Sequence, residues 1–206
     1  MPPDSERVEK NQGRGGWPYR HAAGSPGYLP HPGGVSGRGG NASQSRRCIP
    51  PPPGLMKLTV DCDPRFGTFP AGPVRSIVEE VWRSEGVDGG EIHVIFGDDE
   101  LLSRLKQEFF SLSQYTDVIA FRLNEYEEPQ PEGEIYISLP RAKENAVLYG
   151  EDLRREIARY LIHGCLHLLG YDDQTEAEQE AMRRREDTCL DRVPWQKIPT
   201  KRLEES

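Results

Sequence analysis

Two histidines, His163 and His167, stand four residues apart in a stretch with apolar residues on nearly every side. On an α-helix such residues lie above one another on one face, so both imidazoles can bind one metal ion from the same side. Gly170 follows, and glycine suits a left-handed helix end that turns the chain back toward the histidines. Asp172 and Asp173 follow, at the position where a third metal ligand is expected. The pattern predicts a metal-binding helix and a loop that completes the site.

The alternative is that both histidines are polar members of a helix face, hydrogen-bonded and nothing more. H-x-x-x-H is a short pattern, and by itself it leaves this alternative open. The surrounding residues favour the metal, because a helix that is apolar almost all round is buried, and buried imidazoles need partners. The apolar residues are Ile157, Ala158, Leu161, Ile162, Cys165, Leu166, Leu168 and Leu169.

Three protein ligands would leave one coordination position for water or substrate, which is typical of catalytic rather than structural zinc. Asp173, six positions after the second histidine, is the predicted third ligand, and Asp172 could instead orient a ligand. A metal held in this way lowers the pKa of bound water to about 7 and polarises a carbonyl or phosphoryl oxygen. We expect one Zn²⁺ per chain.

The residue after the first histidine separates two classes of metal hydrolase. A zinc peptidase of the H-E-x-x-H type has its general base there, whereas this chain has Gly164. Peptide hydrolysis would therefore need a carboxylate from elsewhere in the chain. Cleavage of RNA depends less on such a base, because either the ribose 2′-OH or a metal-bound hydroxide can be the nucleophile and charge stabilisation is the main demand.

Overall charge and cysteine content limit the classes of protein further. The formal net charge of -8 argues against binding nucleic acid by overall charge, although it allows a local basic groove. The four cysteines form no C-x-x-C pair, which favours reduced thiols in a cytoplasmic protein. No apolar run is long enough to span a bilayer, and the N-terminus lacks the apolar core of a secretory signal. We expect a cytoplasmic protein without membrane contact.

Residues 1–55 have the composition of a disordered extension. Residues 1–54 contain 11 glycines and 10 prolines, and their 7 Lys/Arg and 3 Asp/Glu give a net charge of +4. Gly-Arg-Gly-Gly occurs at 13–16 and at 37–40, so the segment is either a solvated linker or an RNA-binding tail. Met56 opens the first segment with strand character, and translation could instead begin there.

Hydrophobic periodicity from residue 56 onward predicts alternating strands and helices. Strands are expected at 58–62, 92–96, 118–123 and 134–139, and helices from 73, from 98, at 141–149, at 153–169 and from 175. The helix after Asp98 carries Leu101, Leu102, Leu105 and Phe109, and the last helix has Ala177, Ala181, Met182 and Leu190 on its inner side. We therefore predict an α/β (α+β) domain at 56–193, with a single small mixed sheet of about four strands, helices packed on it and the zinc-binding helix near the C-terminus. Residues 194–206 are expected to form a frayed tail.

From His163 to Asp173 the chain reads H-G-C-L-H-L-L-G-Y-D-D, and it resembles the YbeY family of bacterial endoribonucleases and rRNA maturation factors. The family's signature is H-G-x-L-H-L-x-G-Y-D-H, so only the last position differs. Residues 115–121 resemble its T-D-V-L-S-F strand, and residues 133–137 resemble its G-D-I-x-I strand. The likeness covers roughly residues 56–192 and includes Met182, Glu186 and Leu190 on the last helix.

The resemblance implies a small α/β fold with a zinc-binding helix, and metal-dependent cleavage of RNA with a preference for single strands. It also implies maturation of the 3′ end of the small-subunit rRNA and ribosome quality control, with rRNA precursors and ribosomal particles as partners. Asp173 replaces the third histidine ligand, and Phe110 stands where the family often has an arginine. The resemblance therefore supplies no catalytic residue outside the metal site.

An alternative function is a ribosome-associated assembly factor that keeps a structural metal and cleaves little, because the arginine is missing and the domain is acidic. Arg122, Arg141 and Lys143 follow the matching strands, and each is either a phosphate contact or a solvated surface charge. The tryptophans at 17, 82 and 195 are too scattered to predict a surface for base stacking.

Overall fold

The computed structural model describes residues 54–111, 115–200 and 203, so the predicted extension at 1–55 lies outside the described residues except for Gly54 and Leu55. The main elements are β1 (Met56–Cys62), α1 (Ala71–Glu85), β2 (Gly90–Gly97), α2 (Asp99–Phe110), β3 (Val118–Arg122), β4 (Glu132–Ser138), α3 (Leu139–Tyr149), α4 (Leu153–Leu168) and α5 (Glu176–Leu190). Short 3-10 helices occupy Pro64–Phe66 and Trp195–Lys197. Within this part of the chain, no helix combines the length and the apolar character needed to cross a membrane.

The four strands form one mixed sheet in the order β1-β2-β4-β3. β1, β2 and β4 run parallel, and β3 pairs antiparallel with β4. Val94 of β2 pairs with Ile135 of β4, and both side chains are fully buried. The predicted α/β fold with one mixed sheet of four strands is confirmed.

α4, the helix that carries both histidines, lies at the centre of the molecule. It packs against α1, α3 and α5 and against strands β3 and β4. Every residue from Glu156 to Leu166 is buried. Gly164 permits the close approach to β4, because a Cβ atom at this position would lie 2.6 Å from Cγ2 of Ile135. The helix therefore holds its histidines on a rigid support.

Two helices bury only some of the apolar residues that the sequence analysis named. In α2 the buried residues are Leu102 and Lys106, whereas Phe109 is 50% exposed. In α5, Ala177 is exposed, and the buried face consists of Met182, Glu186, Cys189 and Leu190. Leu102, Met182 and Leu190 are buried as the apolar periodicity predicts, whereas this periodicity missed Lys106 and Glu186 because they are charged.

The expected frayed tail is wrong for residues 194–200 and Leu203. Trp195–Lys197 forms a 3-10 helix that contacts α4 and α1. Ile198 and Leu203 are almost completely buried and belong to the main core. Burial of these apolar side chains stabilises a segment that its short length and polar composition predicted to be loose.

Candidate metal site

His163 and His167 on α4 and Asp173 in the loop before α5 bring three ligand atoms together. Nε2 of His163 lies 2.9 Å from Nε2 of His167 and 3.9 Å from Oδ2 of Asp173. All three ligand atoms lie within 4.8 Å of one another. Tetrahedral zinc with bonds of about 2.0–2.1 Å separates neighbouring ligand atoms by about 3.3 Å. The three groups can therefore surround one ion after small movements.

The loop after α4 turns back because of Gly170. This residue has φ +90°, a conformation that favours glycine. The amide of Tyr171 donates to the carbonyl of Leu166 at 3.1 Å, which folds the chain against the end of the helix. The turn places the next residues beside His167, as the sequence predicted from Gly170.

Asp172 and Asp173 have different surroundings. The side chain of Asp172 accepts a hydrogen bond from the backbone amide of Asp173 at 2.8 Å. The Asp173 side chain is 5% exposed and reaches the histidines, while Nε2 of Gln179 donates to the Asp173 carbonyl at 2.9 Å. The structure thus brings Asp173, rather than Asp172, into the group of three.

Each histidine is oriented through its second ring nitrogen. Nδ1 of His163 lies 2.7 Å from Oε1 of Glu186, and Nδ1 of His167 lies 2.9 Å from the carbonyl oxygen of Tyr171. A carbonyl and an ionised carboxylate can only accept, so both Nδ1 atoms carry the proton and donate. This arrangement directs both Nε2 atoms toward the shared site.

Glu186 is part of a buried charged network. Its Oε2 accepts from Nη1 of Arg159 at 3.0 Å, and Nη2 of Arg159 bonds Oδ1 of Asp187 at 2.9 Å. Burial would raise the pKa of Glu186, but the bonds and charges of His163 and Arg159 hold it below its usual value. Glu186 is therefore an ionised acceptor for His163.

The two histidines differ in proton affinity. Burial and the neighbouring His163 lower the pKa of His167 to about 4. Burial also acts to lower the pKa of His163, but the hydrogen bond and charge of Glu186, helped by Asp173 and Asp117, raise it overall.

All three candidate ligands lie on the wall of one cavity. Helix α2 contributes Lys106 and Phe110 to this wall, and residues 116–120 form another part. Lys106 was not predicted as a site residue, although it lies four positions after the buried Leu102 and hence on the same helix face. Glu186 was noted only through the resemblance, and its place four residues from Met182 is the signal that puts it on the inner face of α5.

Arg122 and Arg141 are held by other parts of the protein. Nη1 of Arg122 donates to the Leu168 carbonyl at 2.7 Å and so supports the end of α4. Arg141 pairs with Asp99 at 3.1 Å and with Glu144 at 2.7 Å. Neither arginine lines the cavity, and neither does Lys143. Arg122 is therefore not a solvated surface charge, because its hydrogen bonds to Asn124 and to the Leu168 carbonyl are partly buried.

The fold and the site define a class: an α/β protein with a candidate catalytic metal site on its central helix. The sequence matches the model of the family described as Endoribonuclease YbeY over residues 71–194. Endoribonuclease YbeY of Desulforamulus reducens is 41% identical in an alignment 128 residues long, and this alignment covers 58% of this chain and 84% of that protein. Its counterpart in Salinibacter ruber is 33% identical in an alignment 150 residues long, which covers 69% of this chain and 96% of that protein. The chain belongs to the YbeY endoribonuclease family.

A solved structure is also similar to this chain. The solution structure of TM1509 from Thermotoga maritima aligns with a TM-score of 0.47 and 23% sequence identity. The alignment covers 65% of this chain and 87% of that chain.

Proposed function

We propose that this protein is a metal-dependent endoribonuclease that prefers single-stranded RNA, with one Zn²⁺ bound by His163, His167 and Asp173. The observation that carries the proposal is the convergence of these three side chains on a cavity wall in a member of the YbeY family. We further propose cytoplasmic rRNA precursors as substrates, with maturation of the 3′ end of the small-subunit rRNA and ribosome quality control as the cellular roles. Ribosomal particles would be the binding partners.

The donor set fits zinc. Two imidazoles and one carboxylate are accepted zinc ligands, and three protein ligands are the number found in catalytic sites. When bound, zinc supplies a Lewis acid that polarises a phosphoryl oxygen and lowers the pKa of coordinated water. The protein contributes the orientation of its imidazoles through Glu186 and through the carbonyl of Tyr171.

The charge balance of the site suits an anionic substrate. Two neutral imidazoles and one carboxylate leave a divalent ion with a net charge of +1. The carboxylate of Glu186 adds little negative potential, because Arg159 pairs with it. A phosphodiester would therefore meet a positive site, even though residues 55–206 carry 19 Lys/Arg against 31 Asp/Glu and are acidic as a whole.

An aromatic group beside the cavity supports the preference for single strands. The Phe121 ring lies 5.0 Å from that of Phe109 and 5.8 Å from that of Phe110, measured between centroids. Phe109 is half exposed, and Phe110 lines the cavity. Unpaired bases stack on such rings, whereas bases inside a duplex are already stacked.

The test compares zinc-loaded and metal-free protein on a single-stranded RNA and on the same sequence in a duplex. We expect the zinc-loaded protein to cleave the single strand, and His163→Ala and His167→Ala to lose both zinc and cleavage. Equal cleavage by metal-free protein and by both variants would contradict the proposal, since it would indicate a contaminating nuclease or a different site.

Phe110 favours a second candidate, an assembly factor with a structural metal, because a phenyl ring on the cavity wall cannot stabilise a phosphate charge. This candidate predicts binding to ribosomal particles by zinc-loaded protein that leaves RNA intact. Cleavage that follows zinc content would decide against it.

A further inference from the structure

Lys106 is a buried cation on the wall of the cavity that contains the three candidate metal ligands. Lys106 is only 5% exposed, although lysine is among the residues least often buried. It lies four residues before Phe110 on α2, so the two side chains share one helix face and one cavity. Its position is therefore internal, yet it adjoins space that a ligand can enter.

Within the described residues, no acidic side chain forms an ion pair with the ammonium group of Lys106. None of the hydrogen bonds and ion pairs among residues 54–111 and 115–200 involves its Nζ atom. Burial lowers the pKa of Lys106, and the charge of Asp117 acts in the opposite direction without forming an ion pair. An ammonium group buried in this way is costly unless an opposite charge approaches it.

The other buried basic side chain on this wall is already neutralised. Arg159 pairs with Glu186 at 3.0 Å and with Asp187 at 2.9 Å. Its guanidinium therefore supports the orientation of His163 and has little charge to offer to a ligand. Arg183 also lines the cavity but is only partly buried, so in the described part of the chain Lys106 is the remaining buried basic side chain of this wall.

We propose that Lys106 binds the nonbridging oxygens of an RNA phosphate group placed at the metal site. The inference rests on the proposed function, and it adds a positively charged side chain to the metal site of an otherwise acidic domain. A phosphate would give the ammonium group the ion-pair partner that no described side chain provides. The long side chain of lysine lets its ammonium group adjust to the substrate, while the aliphatic part of the side chain packs inside the protein.

The first experiment measures inorganic phosphate binding, so its outcome does not depend on cleavage. Zinc-loaded Lys106→Met keeps the length of the stem and removes the charge, and Lys57→Met is the control, because Lys57 is exposed on the opposite edge strand β1. We expect phosphate to raise the melting temperature of the full-length protein and of Lys57→Met, with at least about tenfold weaker affinity in Lys106→Met. Equal affinity in all three proteins overturns the inference.

The second experiment measures cleavage of a single-stranded RNA as a function of salt. The slope of log(kcat/KM) against log salt concentration is negative. Loss of one phosphate contact should make this slope less steep by about 0.7, a change that a purely structural role would not produce. We expect a kcat/KM at least about tenfold lower in Lys106→Met, with unchanged zinc content and partial recovery in Lys106→Arg. A lower rate with an unchanged slope, or a loss of zinc, assigns Lys106 a structural role and overturns the inference. Absence of cleavage by the unaltered protein contradicts the proposed function instead.

Discussion

Glu186 on α5 accepts a hydrogen bond from Nδ1 of His163 on α4 at 2.7 Å, and this bond ties the last helix to the candidate metal site. The two residues are 23 positions apart, so the histidine motif alone does not contain this partner. The bond fixes the tautomer of His163 and directs Nε2 toward Asp173. Residues outside the motif therefore determine how well the motif can bind metal.

Glu186→Ala should weaken zinc binding by about 10- to 100-fold, because partners that orient a ligand typically contribute this much to metal affinity. Glu186→Gln should have a smaller effect, since its amide oxygen can still accept from Nδ1. Competition with a chromogenic chelator measures the affinities, and Glu180→Gln on the exposed side of α5 is the control. Unchanged affinity in Glu186→Ala would show that the hydrogen bond does not orient the ligand.

Zinc affinity should fall as the pH is lowered through the pKa of His163. That pKa is raised above the ordinary histidine value of about 6.5, so at pH values below it His163 of the metal-free protein carries a proton that must leave before Nε2 can bind. His167, with a pKa of about 4, remains neutral over the same range. Calorimetry in buffers of different ionisation enthalpy should detect about one proton released per zinc on the acidic side. Binding without proton release at pH 6 would contradict this assignment.

Gly164→Ala should lower the free energy of unfolding by about 1–3 kcal/mol, because the added methyl group overlaps Ile135 of β4 in a packed core. Gly72→Ala in α1 is the matched control, since a Cβ atom at this position has no neighbour within 4 Å. Urea denaturation compares the two variants. Equal stability of Gly164→Ala and the unaltered protein would mean that α4 can move away from the sheet without cost. The same contact leaves no room for the glutamate of a peptidase motif at this position.

The sequence predicted the sheet and the histidine pair, because both produce regular patterns. Val94 and Ile135 belong to alternating or apolar runs, and His163 and His167 share one helix face at a fixed spacing. Lys106 and Glu186 broke the patterns of their helices, since each is a charged residue inside the protein. Four-residue spacing places both on the inner faces of their helices, but local periodicity carries no information on the distant residues that they contact.

A protein that starts at Met56 should melt like the full chain, because β1 begins at this residue and the preceding segment has too few apolar residues to build a core. We propose residues 56–193 as the catalytic domain, and Ile198 indicates that residues up to at least 200 should be kept for stability. Thermal denaturation of the two proteins makes the comparison. A large loss of stability on removal of residues 1–55 would show that the extension packs against the domain.

The most direct test of the site measures zinc content and RNA cleavage together in Asp173→Ala, Asp173→His and Asp172→Asn. Asp173→Ala should lose most zinc and cleavage because only two imidazoles remain, whereas Asp173→His should keep or increase zinc binding, since imidazole suits zinc well. Asp172→Asn should retain both properties, because its side chain bonds the backbone of the loop. An empty site in Asp172→Asn together with a filled, active site in Asp173→Ala would contradict the account.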